Sequence, residues 1–217
     1  MTQTRLAPAA PATTVFLLSP ARCASERALR LTDGRSQTPL AQQLCSPEGA
    51  PLGDVFAFLS SLYFRGKLTY ARAFARPPRG MPGVFVITPG EGLCVESECI
   101  TAARMRAFAE VEVHHANQGF AAPLLRDAQA LAATAGDEAR FVLLGSIASA
   151  KYLTTLQQAV GERLLFPGDF VGRGDMSRGG LLLRSASDNR ELEYLPVLGA
   201  TLHGPRVARL PPRRRVR

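Results

Sequence analysis

The residue types best suited to chemistry are concentrated in Gly168-Asp169-Phe170-Val171-Gly172-Arg173-Gly174-Asp175-Met176-Ser177-Arg178-Gly179-Gly180. Five glycines, two arginines and two aspartates share these thirteen positions. Glycine lets a backbone turn with positive φ and approach a ligand closely, and arginine forks match phosphate or carboxylate oxygens. The stretch reads as a ligand-binding loop in which Arg173 and Arg178 grip phosphate. Asp175, with Asp169, either steadies those arginines or meets sugar hydroxyls. The alternative is a long surface turn whose arginines and aspartates satisfy one another. Neither Gly-x-x-x-x-Gly-Lys-Ser/Thr nor a strand-to-helix Gly-x-Gly-x-x-Gly is present, so the loop indicates a chemical group rather than a reaction.

A second constellation is Leu62-Tyr63-Phe64-Arg65-Gly66-Lys67-Leu68-Thr69-Tyr70-Ala71. On a helix, Tyr63, Lys67 and Tyr70 share a face. Aromatic rings there can stack on a base while the cation holds phosphate, or they can be ordinary core-edge residues. Lys67 and Lys151 are the only lysines beside 24 arginines. A lysine kept in such a background suits a site that needs a compact charge or a deprotonatable amine, although chance explains two cases equally well. Lys151 is a candidate catalytic residue because it sits near the start of a helix that follows a buried strand. Glu91, flanked by Gly90 and Gly92, is a candidate acid or base, since a carboxylate in a glycine turn beside a cleft can have a raised pKa; a capped turn is the structural alternative. A nucleophilic hydrolase has little support: Gly145-Ser146-Ile147 lacks the second glycine of a Gly-x-Ser-x-Gly elbow, and His114 and His115 read as half-exposed strand residues.

These side chains need a scaffold. Continuous apolar runs at Thr14 to Ser19, Val84 to Thr88 and Arg140 to Leu144 read as strands buried on both faces, with a shorter run at Leu164 to Phe166. Helical patterns fall at Ala21 to Leu31 (with Ser19-Pro20 as its cap and first turn), Leu40 to Leu44, Asp54 to Ala75 with a break at Gly66, Ile100 to Ala109, Pro123 to Thr134 and Ile147 to Val160. Val111 to His115 alternates like an exposed strand. Leu181 to Ser185 and Glu191 to Val197 are expected to form a hairpin. The alternation predicts an α/β fold, a mainly parallel sheet with helices on both faces and a C-terminal β-hairpin. Ligands in such sheets collect beyond the carboxyl ends of the strands. The first strand delivers Ser19 and Arg22 there, the second Gly90 and Glu91, and the third Gly145 and Ser146 at a helix start that favours an anion. Tight turns use the same residues for purely structural reasons.

Composition bounds the function. The 217 residues, 46% hydrophobic and 20% charged, suit one well-buried core. No apolar run reaches the ~20 residues needed to span a bilayer, so no membrane partner and a cytoplasmic location are expected. The net charge of +8 is largely terminal, because residues 205–217 hold six arginines and no acids, leaving +2 for the remainder. The division expected is a disordered leader at 1–13, one α/β domain at 14–200, and a disordered arginine-rich tail at 201–217. The four cysteines and three histidines lack zinc-site spacing, so neither metal nor cofactor is expected.

The motifs Leu18-Ser19-Pro20, Leu62-Tyr63-Phe64-Arg65-Gly66-Lys67 and Val86-Ile87-Thr88-Pro89-Gly90-Glu91-Gly92-Leu93 occur in an order that resembles the bacterial peroxide-stress YaaA family and relatives with a fold like that of uracil-DNA glycosylase. Leu144-Gly145-Ser146 with Tyr152 is also similar. The resemblance spans about residues 14–160, but Pro-Gly-Glu-Gly-Leu replaces the family's lysine-containing turn and the loop at 168–180 has no counterpart. It implies an α/β fold near nucleic-acid or nucleobase chemistry and transfers no catalytic residue. The sequence thus predicts a protein that binds a nucleotide or nucleic-acid phosphate in a cleft, and leaves open whether it also has nucleobase- or nucleotide-directed activity. Two alternatives stay open: a non-catalytic protein that contacts RNA, DNA or a protein through its arginine tail and glycine loop, and an enzyme acting on a phosphorylated metabolite.

Overall fold

Strand β1 (Thr14–Leu18) has five buried residues in succession, as a strand covered on both faces requires. In the computed structural model, which describes residues 12–147, 150–201, 203–208 and 210–211, it lies near the middle of a six-stranded sheet. Its neighbours are β3 (Val84–Thr88) and β6 (Arg140–Leu144), both parallel to it. Beyond β6 lies β7 (Leu164–Pro167), also parallel. The edges are antiparallel: β4 (Gly92–Val95) folds back on β3, and β8 (Tyr194–Pro196) pairs with β7. The order is β4-β3-β1-β6-β7-β8. A two-residue pairing of β2 (Ala50–Pro51) with β5 (Cys99–Ile100) stands apart.

This order positions the site. The chain leaves β1 to build β3 on one side and later returns to build β6 on the other. Connections that diverge from adjacent parallel strands open a crevice at their carboxyl ends, where ligands of such sheets bind. Ser19 follows β1 and Gly145 follows β6, so those two residues border it.

The helices are α1 (Glu26–Thr32), α2 (Pro39–Leu44), α3 (Leu52–Phe74), α4 (Ala102–Ala109), α5 (Gln118–Ala135), α6 (Ala150–Val160) and α7 (Asp175–Ser187). Side chains of Ser25, Thr38, Thr101 and Asn117 accept amide hydrogen bonds at the starts of α1, α2, α4 and α5, which satisfies donors that a helix leaves open. Helix α3 is interrupted at Ser61 (φ 52°). It packs along α7, while α5 packs on α6 and β4. Among the described residues no helix is long and apolar enough to cross a membrane.

Several expectations are corrected. Leu181 to Ser185 is helical, inside α7, and the antiparallel partner of 194–196 is β7. The apolar trio Leu181-Leu182-Leu183 fits a strand or a helix equally by pattern; only packing decides, and Leu182 is fully buried as α7 lies against α3. Val111 to His115 is a turn region rather than a strand. Ser19 does not cap a helix: its N–H donates to the Leu144 carbonyl at 3.1 Å, continuing the sheet ladder, and Ser25 caps α1 instead. The break in α3 falls at Ser61, not Gly66. The proposed leader lies mostly outside the described residues, as does the Arg213–Arg217 cluster.

Candidate functional site

Lys67 meets the carboxyl end of β1. It projects from α3, is 1% exposed, and donates from Nζ to the Ser19 carbonyl at 2.6 Å and to Ser19 Oγ at 2.9 Å. The sheet explains this pairing. The β1 ladder ends as Ser19 N–H reaches β6, and the ammonium takes the carbonyl at that end. The rings of Tyr63 and Phe64 lie 4.7 and 4.5 Å from Nζ, within range of a cation–π attraction. Among the described residues no carboxylate forms an ion pair with Lys67. Burial lowers its pKa to about 7, opposed by the more distant Asp175 carboxylate. Near neutral pH the amine is therefore poised between charged and neutral forms.

Four residues crowd around this pair. A Cβ added to Gly145 would sit 2.8 Å from the Tyr152 hydroxyl and 3.0 Å from Ser19 Oγ. Only glycine allows both oxygens to come so close to the end of β6. Tyr152, on α6, donates to the Ser146 carbonyl at 2.9 Å, and burial holds its pKa up at about 12. Tyr63 is 8% exposed and its hydroxyl has no hydrogen-bond partner. Burial raises its pKa; the Arg178 charge and an approach of its guanidinium to the hydroxyl, too loose to count as a hydrogen bond, oppose the shift, and Tyr152 and Asp175 add to it. Arg178 is itself buried over the Phe170 ring, where its guanidinium donates to the Phe170 carbonyl at 3.1 and 3.3 Å and stands 3.6 Å from Asp175.

Glycines draw α3 and α7 together around these groups. A Cβ at Gly66 would lie 2.6 Å from the Gly179 carbonyl oxygen, and one at Gly179 would lie 2.8 Å from that of Leu62. Part of the glycine density at 168–180 thus serves helix contact. The segment is a loop only as far as Gly174; Asp175 to Gly180 form the first turns of α7.

Of the residues singled out from the sequence, Ser19, Tyr63, Lys67, Gly145, Ser146, Asp175 and Arg178 come together here. The remainder lie elsewhere. Glu91 is held by Arg104, at 2.6 Å from Nε, in the β3–β4 turn, where Gly90 has φ 86°. Arg22 and Lys151 are exposed. Arg173 points along its own loop, donating to the Asp169 carbonyl and toward Ser177. With Arg184, Arg206 and Leu210 it borders a groove of about 610 Å³, which Asp175 also lines. Tyr152 is the residue that sequence reasoning left out of the site. Its place next to Lys151 is visible in the sequence, but packing sets the helical phase that buries Tyr152 and exposes Lys151.

Among the described residues no cluster of three or more His, Cys, Asp or Glu could hold a metal ion. No protein-family model, curated protein or solved structure shows a significant match to this chain.

Proposed function

We propose that the protein binds a nucleotide or nucleic-acid phosphate in the crevice beyond the carboxyl ends of β1 and β6. The observation that carries this reading is a buried hydroxyl without a partner, on Tyr63, one helical turn from a buried amine without a carboxylate, on Lys67. An unsatisfied buried polar group costs about 1–3 kcal/mol. A phosphate oxygen would accept from the hydroxyl and from an N–H of Lys67, which the amine offers in either protonation state. Arg178 adds positive potential from the adjoining helix, and the six arginines of residues 205–217 favour phosphate partners in general.

One observation favours a second reading. Arg173, Arg184 and Arg206 converge on the groove beside Met176 and Leu210, a surface suited to an acidic partner bound by the glycine loop and the terminal segment. Thermal melting of the full-length chain with nucleotides and short oligonucleotides separates the two. A ligand at 100 times its Kd adds about 2.7 kcal/mol of stability. That shift should vanish in Lys67→Met, weaken in Tyr63→Phe and persist in Arg173→Ala. The reverse pattern would move the ligand to the groove, and no shift with any nucleotide would refute phosphate binding in the crevice.

A further inference from the structure

We infer that Ser19 is a nucleophile and Lys67 its general base, so that the crevice cleaves a phosphoester of the ligand it binds. This rests on the phosphate-binding reading and adds a reaction to it. A nucleophilic hydrolase commonly sets its serine on a glycine elbow and pairs it with a histidine base. Neither is required where an amine stands at 2.9 Å from a serine hydroxyl. A nucleophile needs an adjacent base within hydrogen-bond reach and a third group that orients the base. The Ser19 carbonyl does the orienting, since it fixes the same Nζ at 2.6 Å.

The surroundings suit a base rather than a permanent cation. Lys67 is enclosed by the Tyr63 and Phe64 rings, no ion pair with a described carboxylate holds its charge, and burial brings its titration to about 7. The other ionisable groups around it are Tyr63 on α3, Tyr152 on α6, and Asp175 and Arg178 on α7. The Tyr152 hydroxyl lies beside Ser19 Oγ in the space opened by Gly145.

The reaction balances without a cofactor. Neutral Lys67 accepts the Ser19 hydroxyl proton as Oγ forms a bond to phosphorus. The bond from phosphorus to the ester oxygen breaks, and the leaving alkoxide takes the proton from the Lys67 ammonium. Water then attacks the phosphoserine, giving one proton to Lys67 that returns to Ser19 Oγ as the phosphate departs. Charge developing on phosphorus in each step sits beside a lysine that has just become cationic.

Diisopropyl fluorophosphate tests this on the full-length protein, because its phosphorus accepts a serine oxygen while fluoride leaves. Intact-mass and peptide analysis should find one adduct per chain, on Ser19, absent in Ser19→Ala. The labelling rate should rise with pH through about 7 and then level. Lys67→Arg, which keeps a cation and removes the base, should label at least about 100-fold more slowly. Labelling of wild-type protein no faster than of a free serine derivative, labelling elsewhere, or an unchanged rate in Lys67→Arg would overturn the proposal. The wild-type result stands even if a variant fails to fold. Nucleotide-induced stabilisation of Ser19→Ala distinguishes the two readings. Stabilisation without wild-type labelling leaves binding intact and removes the nucleophile. Ser19 labelling with no nucleotide effect supports the nucleophile and directs it to other esters.

Discussion

Replacing Gly66 by alanine tests the contact that brings the two halves of the site together. Both Gly66 and Gly180 are helical glycines with ordinary backbone angles, yet their surroundings differ sharply. The new methyl at position 66 would lie 2.6 Å from the Gly179 carbonyl oxygen and 3.0 Å from its Cα, atoms of backbone that cannot rotate away. At position 180 the nearest atom is a Leu210 methyl at 3.7 Å, an ordinary contact. Alanine is favoured over glycine in a helix by about 1 kcal/mol, so Gly180→Ala should stabilise by up to that amount. Gly66→Ala gains the same propensity but forces α3 from α7, and overpacking of this kind costs about 1–3 kcal/mol. The chemically identical changes should therefore differ by about 1–3 kcal/mol, with Gly66→Ala the less stable. Gly179→Ala should resemble Gly66→Ala, and the double variant should lose less than the sum because both act on one contact. Urea unfolding monitored by circular dichroism reads these differences from the midpoints. Equal stabilities for Gly66→Ala and Gly180→Ala would refute the claim that glycine is needed for helix approach here. Since α3 carries Tyr63 and Lys67 and α7 carries Arg178, Gly66→Ala should also weaken nucleotide stabilisation.

Two further outcomes follow from the buried polar groups. From about pH 7 to pH 10 the unfolded chain keeps a proton on Lys67 that the folded chain has lost, so stability should rise with pH by at most about 1.4 kcal/mol per unit. Above that window the rise should reverse, because Tyr63 and Tyr152 stay neutral in the fold while unfolded tyrosines ionise. Lys67→Met should flatten the rising limb, and parallel profiles for the two proteins would count against a depressed Lys67. Tyr70→Phe should cost about 1–3 kcal/mol in chemical denaturation, because the buried Tyr70 hydroxyl bonds Tyr194 at 2.7 Å and accepts the Leu192 amide at 2.8 Å. Tyr194→Phe should cost less, since that amide keeps its acceptor.

The sequence by itself determined the parallel core and singled out several of the residues that meet around Lys67. Apolar runs of four residues identify β1, β3 and β6, because a strand covered on both faces leaves little room for polar side chains. Their ends then name Ser19, Gly145 and Ser146, since each follows directly on a run. The rarity of lysine singled out Lys67, and helical spacing put it on a face with Tyr63. What local pattern could not supply was the state of residues 181–185 or the partner of 194–196, because a short leucine-rich run satisfies a strand and a helix alike. Glycines in α7 were equally ambiguous: a glycine kept for a ligand and one kept for a neighbouring helix look the same until the neighbour is in place. Only the tertiary structure set Ser19 Oγ at 2.9 Å from Lys67, two residues 48 positions apart. It also turned Tyr152 inward and Lys151 outward, and it tied Glu91 to Arg104 away from Lys67. The strand order decided this, by setting the carboxyl ends of β1 and β6 side by side where Lys67 of α3 meets Ser19.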